Sequence, residues 1–417
     1  MKNTAALSLL ISSLILNAEA KPKKAKKQPA AQPIEQIQPA PPPLDIPGVS
    51  PVIAASLRID TLAEQAIVLD YYSGKILFEK NADTAMYPSS MTKIMTAYMA
   101  FEKLQKGIAH PDSPITVSEK AWRTGGSRMF LNINTQATVN ELLHGIIIQS
   151  GNDASVALAE GLSGSEEVFA AEMTQKAHEF GCINTTFKNA SGLPDPEHKT
   201  TARDLAKIAY RVIQDYPQHY SLFAKTSYTY SGITQPNRHP LLDKNIGCDG
   251  LKTGMTDLGG YGVVASIQEG DPQNNHKRFI IIVNGLKTNK ARSIEALKLS
   301  NWALKAFTTL TLAKKGLVIQ NAPVYSGAEN IVPVAPAADA FVTVPTVVKD
   351  QVKYEIKFDG SITAPIAAGQ TLGKLIVSAP MYAQPVAFDL VATKDVEKAG
   401  IFKKIWRSIT HIFGGKA

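Results

Sequence analysis

Ser90-Met91-Thr92-Lys93 places a hydroxyl and an amine three residues apart at the start of a segment with helical spacing. On a helix, residues i and i+3 share a face, so the Lys93 amine can stand one turn above the Ser90 hydroxyl. A solvated lysine is protonated and is no base. A lysine pressed into an enclosed, partly cationic site has its pKa lowered and can accept the serine proton. Alone, the pair reads more readily as an ordinary helix start with a polar first turn, because Ser-x-x-Lys is common by chance. Two further motifs follow it: Gln149-Ser150-Gly151-Asn152-Asp153-Ala154, a polar turn between two helical runs, and Asp249-Gly250-Leu251-Lys252-Thr253-Gly254-Met255-Thr256. Lys252 and Thr253 on a strand edge can supply a fixed cation and a hydroxyl to a free carboxylate. Gly254 then lets backbone and ligand approach closely, because a side chain there would obstruct the groove.

Other chemistries have less support. The eight histidines include no His-x-x-x-His pair and no cysteine partner at zinc spacing, so no metal or other cofactor is expected. There is no Gly-x-Ser-x-Gly elbow and no phosphate-binding glycine loop. His198, in Pro196-Glu197-His198-Lys199, can border a cleft, although a loop histidine is more often simply solvated. Cys182 and Cys248 are too sparse for a disulfide framework, and a bridge or two buried free thiols both stay open.

The elements that must position these residues can be read from periodicity. Residues 1–20 carry Lys2, an apolar stretch from Ala5 to Leu16 and a small-x-small ending, the pattern of a cleaved export signal. Residues 21–52 are Lys-rich and then Pro-rich, a linker that cannot bury a core. Residues 53–312 alternate as a folding domain does: strand, turn and strand over Gln65–Phe78, then helical spacing through Met91, Ile94, Met95, Tyr98 and Phe101 with Gly107 as a stop. Helical runs follow at Val139–Gln149, Ala154–Gly161, Glu166–Phe180 and Ala202–Gln214. Strands return near Lys225–Tyr230, Tyr261–Ile267 and Phe279–Val283, and a last helix covers Lys290–Phe307. Strands at both ends with helices between predict an α+β sandwich whose first and last strands are neighbours. Residues 313–395, with short alternating stretches such as Tyr354–Phe358, predict a small all-β domain. Residues 398–417 close the chain with Ile401, Phe402, Ile405, Trp406, Ile409, Ile412 and Phe413 on one helical face and a basic opposite face, a membrane-surface anchor. Much of the net charge of +8 lies in the two tails of an exported chain, which points to an anionic membrane or wall polymer and not to nucleic acid.

Ser-x-x-Lys, Ser-x-Asn and Lys-Thr-Gly in this order resemble the penicillin-recognising serine enzymes, most closely the low-molecular-mass D-alanyl-D-alanine carboxypeptidases. The resemblance covers nearly all of residues 53–417. It implies a β-lactamase/transpeptidase-like catalytic domain, an antiparallel sheet with helices, followed by the β-rich domain and a helix held at the periplasmic face of the cytoplasmic membrane. It also implies that Ser90 attacks the carbonyl between two D-alanines of a peptidoglycan stem peptide, with Lys93 as base and Ser150 relaying a proton to the leaving amine. Asn152 would orient Lys93 and contact the peptide. Lys252, Thr253, Gly254, Met255, Arg238 and Arg292 would bind the substrate, and the Ser90 and Met255 amides would hold the oxyanion. β-Lactams would acylate the same serine. No Glu-x-x-Leu-Asn run lies between Asn152 and Lys252, so slow loss of the penicilloyl group is expected. A D,D-endopeptidase using the same motifs, and a wall-binding protein without turnover, are the alternatives.

Overall fold

A computed structural model describes residues 46–271 and 274–400. The expected export signal, most of the linker and residues 401–417 of the expected anchor lie outside the described residues. The first apolar stretch forms β1 (Gln65–Asp70) and β2 (Ile76–Lys80), joined through Gly74 at φ +69°. Five main helices follow: α1 (Lys93–Gln105), α2 (Val139–Ile147), α3 (Asn152–Ser163), α4 (Glu166–Glu179) and α5 (Ala202–Asp215). Then come β3 (Cys248–Thr256), β4 (Gly260–Asp271), β5 (Asn274–Leu286) and α6 (Asn289–Ala306). The sheet is antiparallel in the order β2-β1-β5-β4-β3, so β1 pairs with the last strand of the domain, as the strand positions predict. The strand expected near residues 225–230 stands apart from this sheet, as a hairpin of Ser227–Tyr230 with Ile233–Pro236.

Both faces of the sheet are covered. Ile280 and Ile282 of β5 pack into the core built by α1, α2, α3 and α5, while Phe279, Ile281 and Val283 pack with Leu299 and Ala303 of α6. The period of two along a strand thus makes 279–283 a continuous apolar run. Each such side chain contributes about 1.5–3 kcal/mol on burial. Helix α1 is buried on all sides from Lys93 to Phe101, so it is a central helix and not the half-exposed one its apolar stripe suggests.

The second domain comprises β6 (Phe307–Ala313), β7 (Gln320–Pro323), β8 (Ile331–Pro336), β9 (Ala340–Pro345), β10 (Lys353–Phe358), β11 (Thr371–Ser378) and β12 (Val386–Ala392). β6 pairs with β9, and the other five form a sheet in the order β7-β8-β12-β11-β10. The strand that opens this domain therefore runs up to residue 313, where the sequence suggested the domain would begin. At the other end Lys398 bridges to Gly327 and the Ala399 amide donates to Ser326 O, which ties the first residues of the expected anchor to the β-domain. The two domains meet at Asp70, whose buried carboxylate accepts from Ser73 Oγ (2.8 Å) and from Thr309 Oγ1 (2.7 Å).

Candidate active site

The Ser90–Lys93 pair sits at a change of helix type. Ser90 lies in a 3-10 turn, Ser89–Thr92, and Lys93 opens α1, so the three-residue spacing works through a tighter turn than the α-helix expected. Lys93 Nζ lies 3.1 Å from Ser90 Oγ and donates to Asn152 Oδ1 (2.7 Å) and Ser191 O (2.6 Å). Burial holds its pKa well below the ordinary lysine value, reinforced by the Lys252 and Arg238 charges and opposed by Asp153 and Glu166. Desolvation thus favours the neutral amine that a base requires.

Two serines next to the chemistry are in the left-handed region, Ser89 at φ +49° and Ser150 at φ +61°. Such conformations persist where the surroundings over-determine them. Ser89 Oγ is bonded to Thr256 Oγ1 at 2.9 Å, and a Cβ on Gly192 would fall 1.8 Å from Ser89 O. Gly254 packs against the same turn: a Cβ there would lie 2.8 Å from Pro88 O and 3.1 Å from Met91 Cγ. Gly254 lines the groove, but the side chain it lacks would point at the Ser89–Thr92 turn, so the sequence reading of groove clearance is corrected to close packing of that turn against β3.

A cavity of about 430 Å³ is lined by Ser90, Ser150, Arg238, Thr253, Gly254, Met255 and Arg292, together with Ser127 and Tyr261. Lys93, Asn152 and Lys252 are buried, and the motifs distant in sequence therefore converge. β3 is the edge strand of its sheet, and an edge presents unpaired backbone groups to a ligand. Burial lowers the Lys252 pKa to about 7, with the Arg238 and Arg292 charges adding to the effect. An incoming carboxylate would restore its charge. Arg292 is buried beneath β3, donating to Asn289 Oδ1 at 2.6 Å, and its Nε has no partner among the described residues. Arg238 is exposed and donates to Ser127 Oγ (2.6 Å). Asn152 Nδ2 donates to Gly125 O (2.8 Å), so its amide serves the enzyme's own loop as well as Lys93.

Two residues take roles that the sequence reading did not give them. His198 is buried, not solvated: Nδ1 accepts from the Lys188 amide (3.2 Å), which leaves Nε2 to donate to Thr92 Oγ1 (2.8 Å), and burial lowers its pKa to about 4. It is a neutral prop behind the nucleophile turn. Asp249 accepts from Tyr220 OH (2.8 Å), Arg278 (3.0 Å) and Gln268 (3.0 Å), fixing the approach to β3. Its place three residues before Lys252 was the available signal. Cys182 and Cys248 are unbridged, with burial raising both thiols to about 12.

Comparisons with known proteins identify the family. A family model described as D-alanyl-D-alanine carboxypeptidase matches residues 52–287, and a second, penicillin-binding protein 5 C-terminal domain, matches 307–398. D-alanyl-D-alanine carboxypeptidase DacA of Haemophilus influenzae is 38% identical over 351 residues, 82% of this chain and 88% of that protein. The crystal structure of penicillin-binding protein 5 from Haemophilus influenzae superposes with a TM-score of 0.75 at 37% identity, over 82% of this chain and 99% of that one. An ampicillin-bound penicillin-binding protein D2 from Listeria monocytogenes gives a TM-score of 0.54 at 28% identity, over 60% of this chain and 99% of that one. The chain belongs to the D-alanyl-D-alanine carboxypeptidase family, as a low-molecular-mass penicillin-binding protein and a serine peptidase.

Proposed function

We propose that Ser90 is the nucleophile and Lys93 the base of a D-alanyl-D-alanine carboxypeptidase that trims the terminal D-alanine from peptidoglycan stem peptides. The observation that carries this reading is the buried Lys93 amine within reach of the Ser90 hydroxyl and held by Asn152 and Ser191. Ser90 Oγ attacks the carbonyl between the two D-alanines as its proton passes to Lys93. Ser150, on the same cavity wall, relays a proton to the departing amine, and an acyl-enzyme remains. The substrate's terminal carboxylate is met by Thr253 and Arg292 with Lys252 behind them, and Arg238 closes the outer wall. The Ser90 and Met255 amides hold the oxyanion. Water then releases the shortened peptide, and a β-lactam carbonyl takes the same path into a slowly hydrolysed adduct.

The mature chain is exported and works on the periplasmic side of the cytoplasmic membrane, held there by the amphipathic segment of residues 400–413. The composition of that segment and the N-terminal signal pattern support this reading, and no helix of the described residues is long and apolar enough to cross a membrane. The test is D-alanine release from an acyl-D-Ala-D-Ala peptide by residues 21–417, beside Ser90→Ala. Release that disappears in the variant is expected. Release that persists would remove Ser90 from the reaction, and cleavage of cross-linked dimers without release of terminal D-alanine would make the protein an endopeptidase.

A further inference from the structure

Asp153 follows the second motif and, apart from its charge opposing the lowered pKa of Lys93, has no part in the mechanism above, yet its surroundings are unusual. The side chain is fully buried. Its Oδ1 accepts the amides of Met129 (2.8 Å) and Ala154 (2.9 Å), and its Oδ2 those of Phe130 (2.9 Å) and Leu131 (3.1 Å). Three consecutive loop amides thus converge on one carboxylate, an arrangement with charge-assisted bonds.

The wrap forces Phe130 to φ +68°. A bulky residue in the left-handed region is a true outlier and needs something to hold it there. Phe130 is 47% exposed, so its own packing is a weak restraint and the bonds to Asp153 are the strong one.

The same loop forms the cavity wall between the second motif and Arg238. The Asn152 amide donates to Ser127 O (2.7 Å) and Asn152 Nδ2 to Gly125 O (2.8 Å). Ser127 Oγ accepts from Arg238, and Arg128 O from Gln235 Nε2 (3.0 Å). Gly126, at φ +80°, has no room for a side chain, since a Cβ would lie 2.8 Å from Asn152 Nδ2. The Asn152 amide group is therefore clamped between Lys93 on one side and this loop on the other.

We propose that Asp153 is a positioning residue for the reaction: by holding the 125–131 loop in its strained wrap, it keeps Asn152 aimed at Lys93 and Ser127 against Arg238. The proposal rests on the reading of Ser90 as nucleophile and Lys93 as base. Asp153 touches neither substrate nor reacting atom.

The test compares Asp153→Asn, Phe130→Gly and the double variant in D-alanine release, with kcat and KM separated and thermal melts alongside. Asparagine keeps the volume but turns one acceptor into a donor facing amides, so kcat should fall about ten- to a hundredfold, the scale of a small misplacement of catalytic groups. KM should change less than kcat, because Lys252, Thr253 and Arg292 lie outside the loop and only the Arg238 wall and the Asn152 contact loosen with it. Glycine enters φ +68° without a steric penalty, so Phe130→Gly alone should keep kcat and, added to Asp153→Asn, should restore most of it. A lowered melting temperature with unchanged kcat would make Asp153 merely structural and overturn the proposal, as would a double variant no better than Asp153→Asn. If Asp153→Asn does not fold, Phe130→Ile strains the same loop with the carboxylate intact, and unchanged kcat there would also overturn it. Ser90→Ala in the same assay separates the two claims. Activity surviving in that variant refutes the nucleophile, whereas its loss beside a normal Asp153→Asn refutes only the positioning role.

Discussion

Gly254→Ala separates two accounts of the third motif. If the glycine clears the groove for substrate, an added methyl weakens binding and raises KM. The structure points the methyl elsewhere, 2.8 Å from Pro88 O and 3.1 Å from both Met91 Cγ and Ser89 Cβ, where ordinary contact begins at 3.4 Å. The nucleophile turn must therefore retreat from β3 by about 0.6 Å, the shortfall between 2.8 and 3.4 Å at Pro88 O. The obstacle is main-chain carbonyl oxygen and not a flexible side-chain tip, so the shift passes directly to Ser90, two residues on. Overpacking of this kind costs about 1–3 kcal/mol of stability. A displacement approaching 1 Å at the reacting atom costs about a hundredfold in rate. The expected result is a kcat for D-alanine release, and a rate of acylation by labelled penicillin, lowered about ten- to a hundredfold with KM changed less than threefold. Stopped-flow acylation and a thermal melt on the same preparation measure both effects. A raised KM with full kcat would refute the packing argument and return Gly254 to the groove.

The alkaline limb of kcat/KM should follow Lys252: its amine is charged below about 7 and neutral above, so carboxylate capture weakens as pH rises through that value in the free enzyme. A KM flat from pH 6 to 9 would remove Lys252 from carboxylate binding. On the acid side kcat should fall as Lys93 takes up a proton, and Lys93→Ala should abolish acylation without loss of the fold; a persisting penicillin adduct would mean another base. Thr309→Val removes the hydroxyl that donates to the buried Asp70 carboxylate between the domains, for a loss of about 1–3 kcal/mol by denaturant unfolding with activity unchanged. An unaltered midpoint would make that bond irrelevant to domain contact. Truncation after Gly400, which spares the Ala399 bond to Ser326, should release the protein from membranes with activity on soluble peptide intact. Retention at the membrane would locate the anchor elsewhere.

The parts legible in the sequence were those with local causes. Short apolar runs at 66–69 and 279–283 report strands buried on both faces, and the apolar spacing of 91–101 reports a helix. The three motifs announce themselves because each is a short run whose residue types suit one chemistry. That Ser90, Lys93 and Lys252 belong together was legible only through resemblance, since spacing says nothing about which runs meet.

Tertiary structure decided what depends on contacts across the chain. His198 sits in a loop that looks solvated, and burial against Thr92 made it a neutral support. Gly254 looks like groove clearance, and the approach of Pro88 made it a packing site. Asp153 reads as a polar neighbour of a motif until amides more than twenty residues earlier converge on its carboxylate. By itself the sequence determined most of the elements and the candidate reacting groups, because these follow from periodicity and functional-group chemistry within short windows. Only the fold determined how low the Lys93 pKa is held and which groups aim its amine, because desolvation and Coulomb interactions act through space, between residues that the chain separates and the packed core brings within a few ångströms.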